Sequence, residues 1–268
     1  MSTIATVLVT NDDGVASPGL AALVRAVMAP GRRVVVAAPA SDQSGTSAAV
    51  APRPPEGVRI EPVTLRGLEG AHAGELIAFS VDGPPALAVL GARLGELGRP
   101  AAEASVVASG VNLGPNTGLS VLFSGTVGAA MAAAHLGLSA LAVSIDSFEP
   151  AHLDTATTVA AAALDWILGS PAGTVLNVNV PDLPLDRLAG FRHAPLGTAI
   201  ATFQPTIHER DAGPYLARFQ IESHEPAPGT DGAFLRDGWV TLTALVGIRA
   251  DDRVDAAAFL ERAISEAA

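Results

Sequence analysis

The feature that most constrains this chain is an apolar, β-branched run at residues 4–10 that leads directly into two adjacent carboxylates, Asp12 and Asp13. A run of this kind is typical of a strand buried inside a parallel sheet. Gly14 permits a sharp turn, and Ser17, which is followed by proline, suits the start of a helix. The pattern therefore predicts a strand, a loop and a helix, with both carboxylates at the corner between them.

Two adjacent carboxylates at such a corner have two interpretations. Ligands of open α/β sheets bind outside the carboxyl ends of the strands, which is where Asp12 and Asp13 would lie. Like charges side by side are costly unless they are solvated or bridged by a cation, so a bound metal ion is one interpretation. The other is a solvated turn with a capping aspartate, because Asn, Asp and Gly are the commonest turn residues.

Short apolar segments alternate with helical patterns along most of the chain. We predict strands at residues 4–10, 34–38, 76–81, 104–109, 140–145 and 174–180, and helices at residues 18–28, 84–97, from about 125 onward and 155–168. Residues 110–118 are predicted to form a glycine-bearing loop, and Trp166 is expected to pack in the core. The alternation and the short links indicate an α/β fold with a doubly wound, mostly parallel sheet.

The rhythm of the sequence changes after about residue 182. Prolines become frequent, residues 216–221 and 239–245 resemble antiparallel strands, and residues 255–267 resemble a final helix. We predict a core over residues 1–181 and a C-terminal extension over residues 182–268, made of a β-hairpin and a tail helix, that completes the same domain.

Charge and composition exclude several kinds of function. The formal net charge of -11 argues against a nucleic acid polymer or an anionic membrane as partner. All 16 basic residues are arginine, which excludes a lysine Schiff base and a Walker-type phosphate loop. The chain has no cysteine, so thiolate metal sites are excluded as well. We expect no signal peptide, no membrane span and a cytoplasmic location.

Three loops follow three of the predicted strands, at residues 11–17, 40–47 and 110–124, and they would share one edge of the sheet. Their side-chain oxygen donors are Asp12, Asp13, Asp42, Ser44, Asn112 and Asn116. Such donors suit a hard cation, Mg²⁺, Mn²⁺ or Ca²⁺, better than zinc. The Ser-Gly-Thr sequence at residues 124–126 precedes a helix, whose first N–H groups favour an anion. This layout suits metal-assisted hydrolysis of a phosphate ester, although each piece could also be an ordinary turn or helix cap.

Several short motifs together resemble one protein family. They lie at residues 9–15 with 18–19, 38–39 with 43–47, 109–112 with 114–116, 123–127 and 176–181. In combination they are similar to the SurE (stationary-phase survival protein) family of metal-dependent nucleotidases, and the similarity resumes weakly at residues 229–231. The resemblance implies a Rossmann-like α/β domain whose C-terminal extension is used in homodimer or homotetramer assembly. It also implies release of phosphate from nucleoside monophosphates as a 5'- or 3'-nucleotidase with Mg²⁺ or Mn²⁺, and for some members action on polyphosphate.

The resemblance implies residue roles position by position. The metal ligands would be Asp12, Asp13, Ser44 and Asn112. The residues beside the phosphate would be Asn116, Ser124, Gly125 and Thr126. The catalytic residues would be Asp12, Asp13 and Asn116.

The chain departs from the family pattern in two places near these residues. Leu119 and Ser120 stand where the family usually has acidic residues, and Ala40 stands where it often has aspartate. These changes spare the metal set but bear on turnover, so a non-catalytic nucleotide- or metal-binding protein on the same scaffold is the alternative. An aspartate-nucleophile phosphatase of the haloacid dehalogenase type is disfavoured, because Asn11 stands where that mechanism needs its nucleophile and the chain lacks the lysine it uses.

Overall fold

The computed structural model describes residues 5–50, 57–69, 76–198, 202–208, 216–222 and 225–248, together with Ala257, Leu260 and Ile264. The strands are β1 Ala5–Thr10, β2 Arg32–Pro39, β3 Ile60–Pro62, β4 Leu76–Val81, β5 Val106–Leu113, β6 Ser139–Ile145, β7 Val175–Val180, β8 Gly190–His193, β9 Thr202–His208, β10 Leu216–Glu222 and β11 Trp239–Leu245. The helices are α1 Pro18–Val27, α2 Pro85–Leu94, α3 Arg99–Ala102, α4 Gly125–His135, α5 Leu153–Leu168 and α6 Asp231–Arg236, with 3₁₀ helices at Gly118–Leu122 and Leu185–Arg187.

In these described residues, one sheet of nine strands runs in the order β3-β4-β2-β1-β5-β6-β7-β11-β8. The six strands from β4 to β7 pair in parallel, while β3 and β11 lie antiparallel to β4 and β7. This arrangement confirms the predicted Rossmann-like α/β fold with a mostly parallel sheet. Because β1 lies near the middle of the sheet, the corner that follows it is flanked by the ends of β2 and β5.

The C-terminal region divides between the main sheet and a separate hairpin. The strands β9 and β10 pair antiparallel in a sheet of their own. The sequence pattern predicts the strand at residues 216–221 but not its partner β9. The strand β11 instead joins the main sheet between β7 and β8, and it is parallel to β8. Most of the tail helix predicted at residues 255–267 lies outside the described residues. The division of the chain at residue 181 stays a prediction.

Helices cover both faces of the sheet, and alternate residues of β1 point to the two layers. Val7 and Val9 belong to the core cluster that includes α1 and α5, whereas Leu8 belongs to the cluster that includes α2 and α4. The expectation that Trp166 packs in the core is wrong, because Trp166 is 57% exposed. The residues of α5 that turn toward the sheet are its other apolar side chains, such as Leu164.

The end of β5 differs from the sequence prediction. Residues 110–113, predicted as loop, continue the strand, and the pairing with β6 shifts its register between Ser109 and Asn112. Gly110 has a φ of 130°, and a Cβ there would lie 2.3 Å from the carbonyl oxygen of Val143. A glycine is therefore required for this irregular pairing, and a glycine inside an apolar run is easily mistaken for the start of a turn. As a result, Asn112 stands on a strand end rather than in a free loop.

The α4 helix packs closely against the loop that follows β2. A Cβ at Gly128 would lie 2.3 Å from the backbone carbonyl carbon of Ser47. The amide of Ser47 also donates to the carbonyl oxygen of Phe123, 3.2 Å away. The absence of a side chain at Gly128 thus brings the loop at residues 41–47 against the start of α4. None of the helices in the described ranges has both the length and the apolar character needed to span a bilayer.

Gly128→Ala and Gly91→Ala form a matched pair that tests this packing, because each adds one methyl group inside a helix. Around Gly91 the space within 4 Å of a Cβ is open. We expect Gly91→Ala to raise the free energy of unfolding by about 0.5–1 kcal/mol through helix propensity. Gly128→Ala should lower it by about 1–3 kcal/mol, because the loop has to move. Urea denaturation measures both, and an equal gain from the two substitutions would contradict the close contact.

Candidate metal and phosphate site

The carboxylate of Asp12 is bound to the first turn of α4. Asp12 is only 3% exposed, and its two oxygens accept hydrogen bonds from the backbone N–H of Thr126, at 2.9 Å, and from the Thr126 hydroxyl, at 2.5 Å. A Cβ at Gly125 would lie 2.7 Å from the Cβ of Asp12, so only glycine allows this approach. The positive end of the helix dipole and the two donors stabilise the negative charge of Asp12.

The neighbouring carboxylate has a less favourable environment. Asp13 accepts one hydrogen bond, from the backbone N–H of Leu113 at 3.3 Å. Burial, the charge of Asp12 and the charge of Asp42 raise the pKa of Asp13 to about 7, against the lowering effect of the Leu113 amide. A pKa this high means that the site disfavours the charged form of the carboxyl group, first through burial and then through the neighbouring negative charges. A cation bound beside Asp13 would favour the charged form again.

The loop after β2 lies against the corner that carries both carboxylates. The backbone N–H of Gln43 donates to the carbonyl oxygen of Asp12 at 2.7 Å, which fixes the loop to the first corner. Within the loop, the hydroxyl and the amide of Ser44 donate to the Asp42 carboxylate at 2.6 and 2.8 Å. The Ser44 side chain is exposed and its hydroxyl oxygen retains lone pairs for a cation.

At the end of β5, Asn112 lies one residue before the amide that binds Asp13. Its side-chain nitrogen donates to the carbonyl oxygen of Gly114 at 2.7 Å. The amide oxygen of Asn112 is therefore the atom with which it could coordinate a metal ion. Within the described ranges, no group of three or more His, Cys, Asp or Glu residues could hold a metal by itself. The loops after β1, β2 and β5 form one edge of the sheet, called the rim below. A metal at this rim would need the neutral oxygens of Ser44 and Asn112 as well as the two carboxylates.

A network of buried amides holds Asn116. Its side-chain nitrogen donates to the Ser144 hydroxyl at 2.8 Å, and its backbone N–H donates to the side-chain oxygen of Asn179 at 2.7 Å. The carbonyl oxygen of Asn116 accepts from the side chains of Asn177 and Asn179 at 2.8 and 3.0 Å. Sequence reasoning gave no role to Ser144, Asn177 or Asn179. Asn177 and Asn179 alternate with valine in a run that predicts a buried strand. Because a buried amide needs a hydrogen-bond partner, this pattern indicates that both side chains bind another segment.

The first turn of α4 has an ordinary N-cap in addition to its hydrogen bonds with Asp12. The Ser124 hydroxyl accepts from the backbone N–H of Val127 at 3.1 Å, as an N-cap residue does. Since the Thr126 amide binds Asp12, the amides of Thr126 and Val127 are engaged within the protein. A phosphate at this helix end would therefore meet the backbone before Thr126, at Ser124 and Gly125.

Known proteins of one family resemble this chain over most of its length. Residues 7–202 match the model of the family described as Survival protein SurE. The chain is 38% identical to a 5'-nucleotidase SurE of Nitratidesulfovibrio vulgaris, over 89% of this chain and 86% of that protein. It is 36% identical to a 5'/3'-nucleotidase SurE of Erwinia tasmaniensis, over 89% of each chain. A crystal structure of the SurE protein from Aquifex aeolicus superimposes with a TM-score of 0.76 at 28% identity, covering 96% of this chain and 99% of that one.

The raised pKa of Asp13 predicts a pH effect on the stability of the metal-free protein. Its carboxyl group holds a proton more tightly in the folded chain, with a pKa of about 7, than at the ordinary value of 3.8 in the unfolded chain. Folding is therefore favoured less as the pH rises from about 4 through 7. Partial solvent exposure reduces the effect, so we expect Asp13→Asn to gain about 1.5 kcal/mol over the native chain between about pH 5 and about pH 8.

Urea denaturation in the presence of EDTA measures this difference for the two chains. All other titrating groups are common to both chains and cancel in the comparison. The same difference in unfolding free energy at both pH values would show that Asp13 ionises normally.

Proposed function

The chain belongs to the SurE family, and from that premise we propose that it is a divalent-metal-dependent phosphomonoesterase that releases phosphate from nucleoside monophosphates, as a 5'-nucleotidase, a 3'-nucleotidase or both. The observation that carries the proposal is the pair of unlike carboxylates after β1. Asp12 is bound by the start of α4, whereas among the described residues the charges that act on Asp13 are those of Asp12 and Asp42, both negative. Polyphosphate is proposed as a further substrate.

The proposed metal ion is Mg²⁺ or Mn²⁺, and Asp12, Asp13, Ser44 and Asn112 would hold it. Carboxylate, hydroxyl and amide oxygens are the ligands these ions prefer, and a cation would stabilise the charged form of the buried Asp13 beside Asp12. When bound, the ion would supply Lewis-acid polarisation of a phosphoryl oxygen. Ca²⁺ fits the same donors and could replace either ion in a crystal.

The protein's own groups would orient the phosphate and stabilise its charge. The bonds from Thr126 hold the Asp12 carboxylate in one orientation, so the metal side of the site is preorganised. The proposed phosphate-binding residues are Asn116, Ser124, Gly125 and Thr126, of which Thr126 would act by holding the Asp12 carboxylate beside the phosphate. Among them, Ser124 and Gly125 lie at the positive end of α4, and Asn116 is fixed by the amides of β7.

One feature of the rim favours a second candidate, a non-catalytic nucleotide- or metal-binding protein. Leu119 is exposed, and the hydroxyl of Ser120 donates to the carbonyl oxygen of Thr117. Neither residue supplies the negative charge that the family usually has here. The rim is therefore less acidic than in the family pattern, while the oxygen donors are retained.

The proposed assembly is a homodimer or homotetramer. Trp166 and Phe191 are both 57% exposed and line the same apolar pocket on α5 and the sheet, and a contiguous exposed apolar surface is typical of a protein interface. Light scattering of the purified protein would measure the assembly. The negative net charge predicts that neither a nucleic acid polymer nor a membrane is a partner. The cytoplasmic location is likewise a prediction.

Phosphate release from a panel of nucleoside 5'- and 3'-monophosphates and polyphosphate tests the activity directly. We expect release with Mg²⁺ or Mn²⁺ and none with EDTA. Asp13→Asn should lower kcat by at least about a hundredfold, because it removes a charged ligand from the site. Asp165→Asn is the control, since Asp165 is an exposed residue of α5 that pairs with Arg32 at the start of β2.

A folded protein that binds the nucleotides but releases no phosphate with any metal would favour the binding protein instead. Full activity of Asp13→Asn would show that the reaction takes place elsewhere on the molecule.

A further inference from the structure

A second buried carboxylate lies beside the rim but outside the candidate site. Asp231 is the first residue of α6, and it is 0% exposed. An ionised carboxylate is costly to bury unless hydrogen bonds replace the water it loses. The partners of Asp231 therefore show what this charge is used for.

Three backbone amides from three segments bind Asp231. One oxygen, Oδ2, accepts from the N–H of Gly118 at 2.8 Å. The other, Oδ1, accepts from Gly197 at 2.9 Å and from Gly232 at 2.8 Å. Gly197 follows β8, and Gly232 belongs to α6 itself. The carboxylate thus joins the C-terminal region to the segment that follows Asn116.

The contact with Gly118 fixes a segment that carries candidate site residues at both ends. Asn116 lies two residues before Gly118, and the 3₁₀ helix that begins at Gly118 leads to Ser124 and α4. The backbone of Gly118 is left-handed, with a φ of 58°. The α6 helix also packs on this segment, since a Cβ at Gly232 would lie 3.5 Å from the Thr117 hydroxyl oxygen.

We infer that Asp231 is a positioning residue for the proposed phosphate release, acting through Gly118 on Asn116. The inference rests on the proposed function. Asn116 is held from one side by the amides of β7, and the chain beyond it is held from the other side by Asp231. With both anchors in place, the chain between Asn116 and the start of α4 is fixed at Asn116 and again at Gly118. Loss of the Asp231 anchor would release the chain beyond Asn116, while Asn116 itself stays bound to Ser144 of β6 and to the amides of β7.

The geometry makes Asp231→Asn a selective test. An asparagine of the same shape can keep its oxygen at the Oδ1 position, where it still accepts from Gly197 and Gly232. Its NH₂ group then faces the N–H of Gly118, and two donors cannot bond to each other. The substitution therefore breaks the bond to the rim and spares the bonds within the C-terminal region.

We expect Asp231→Asn to lower kcat for a nucleoside monophosphate by at least about tenfold with KM changed less than about threefold, because the lost alignment matters in the transition state. Asp237→Asn is the control, since Asp237 is the exposed residue at the other end of α6. Its kcat should stay within about twofold of the native value. A native kcat in Asp231→Asn, from an active native enzyme, would overturn the inference and leave the proposed function standing.

A double-mutant cycle separates positioning from general stability. If Asp231 acts through Asn116, the chain with both Asn116→Ala and Asp231→Asn should be no slower than Asn116→Ala alone, within about threefold. A kcat reduced by the product of the two single losses would mean that Asp231 acts independently of Asn116, and the inference would be wrong.

Amide hydrogen exchange gives a readout that needs no activity. In Asp231→Asn the Gly118 amide should exchange at least about a hundredfold faster than in the native chain, while Gly197 and Gly232 keep their protection. Unchanged protection of Gly118 would overturn the inference. If the variant fails to fold, exchange is measured on the native protein, where the Gly118 amide should exchange as slowly as the Gly197 amide. Faster exchange of Gly118 than of Gly197 would overturn the inference. A native chain that releases no phosphate at all would instead remove the proposed function, and with it the catalytic part of the inference.

Discussion

The bond between Asp12 and the first turn of α4 is the interaction on which the rest of the rim depends. It brings together residues 114 positions apart in the chain and satisfies one of two adjacent carboxylates with a backbone amide and a hydroxyl. Because Asp12 uses the helix in this way, Asp13 has to be stabilised by something else. Burial and the neighbouring carboxylates raise the pKa of Asp13 to about 7, so the described protein groups stabilise its charged form incompletely. Asp12 and Asp13 have the same side chain but different hydrogen-bond partners, and this difference is the physical basis for proposing a cation beside Asp13.

Glycines, which have no side chain, allow the elements of this rim to approach one another. Gly125 lets Asp12 reach α4, Gly128 lets the loop after β2 lie on the same helix, and Gly110 lets β5 pass the carbonyl of Val143. A Cβ atom added to any of these three glycines would lie closer to its neighbour than real Cβ atoms do. The segments that carry the candidate ligands therefore lie against one another where a glycine leaves room for the neighbouring backbone or for the Asp12 side chain.

The sequence alone could predict the central sheet and the first corner, because periodicity and turn chemistry are local. It could not place Asn112 on a strand, since the register shift of β5 arises only from pairing with β6. It also placed Trp166 in the core, because apolar character says nothing about which side of α5 faces the sheet. The partners of Asn116 and the role of Asp231 depend on contacts between distant segments, which no pattern within one segment can reveal. The family resemblance included those positions without giving a physical reason for them.

The position of Asp231 has a consequence for the order in which the molecule is built. Gly118 and Asp231 are separated by 113 positions, and β11, which follows α6, enters the main sheet beside β7. Contacts of such large sequence separation form slowly, because the loop between them has to close first. A ribosome releasing this chain would complete the sheet from β1 to β7 well before the segment after Asn116 receives its last anchor. The candidate site would then mature only after α6 has left the ribosome, later than the parallel part of the sheet.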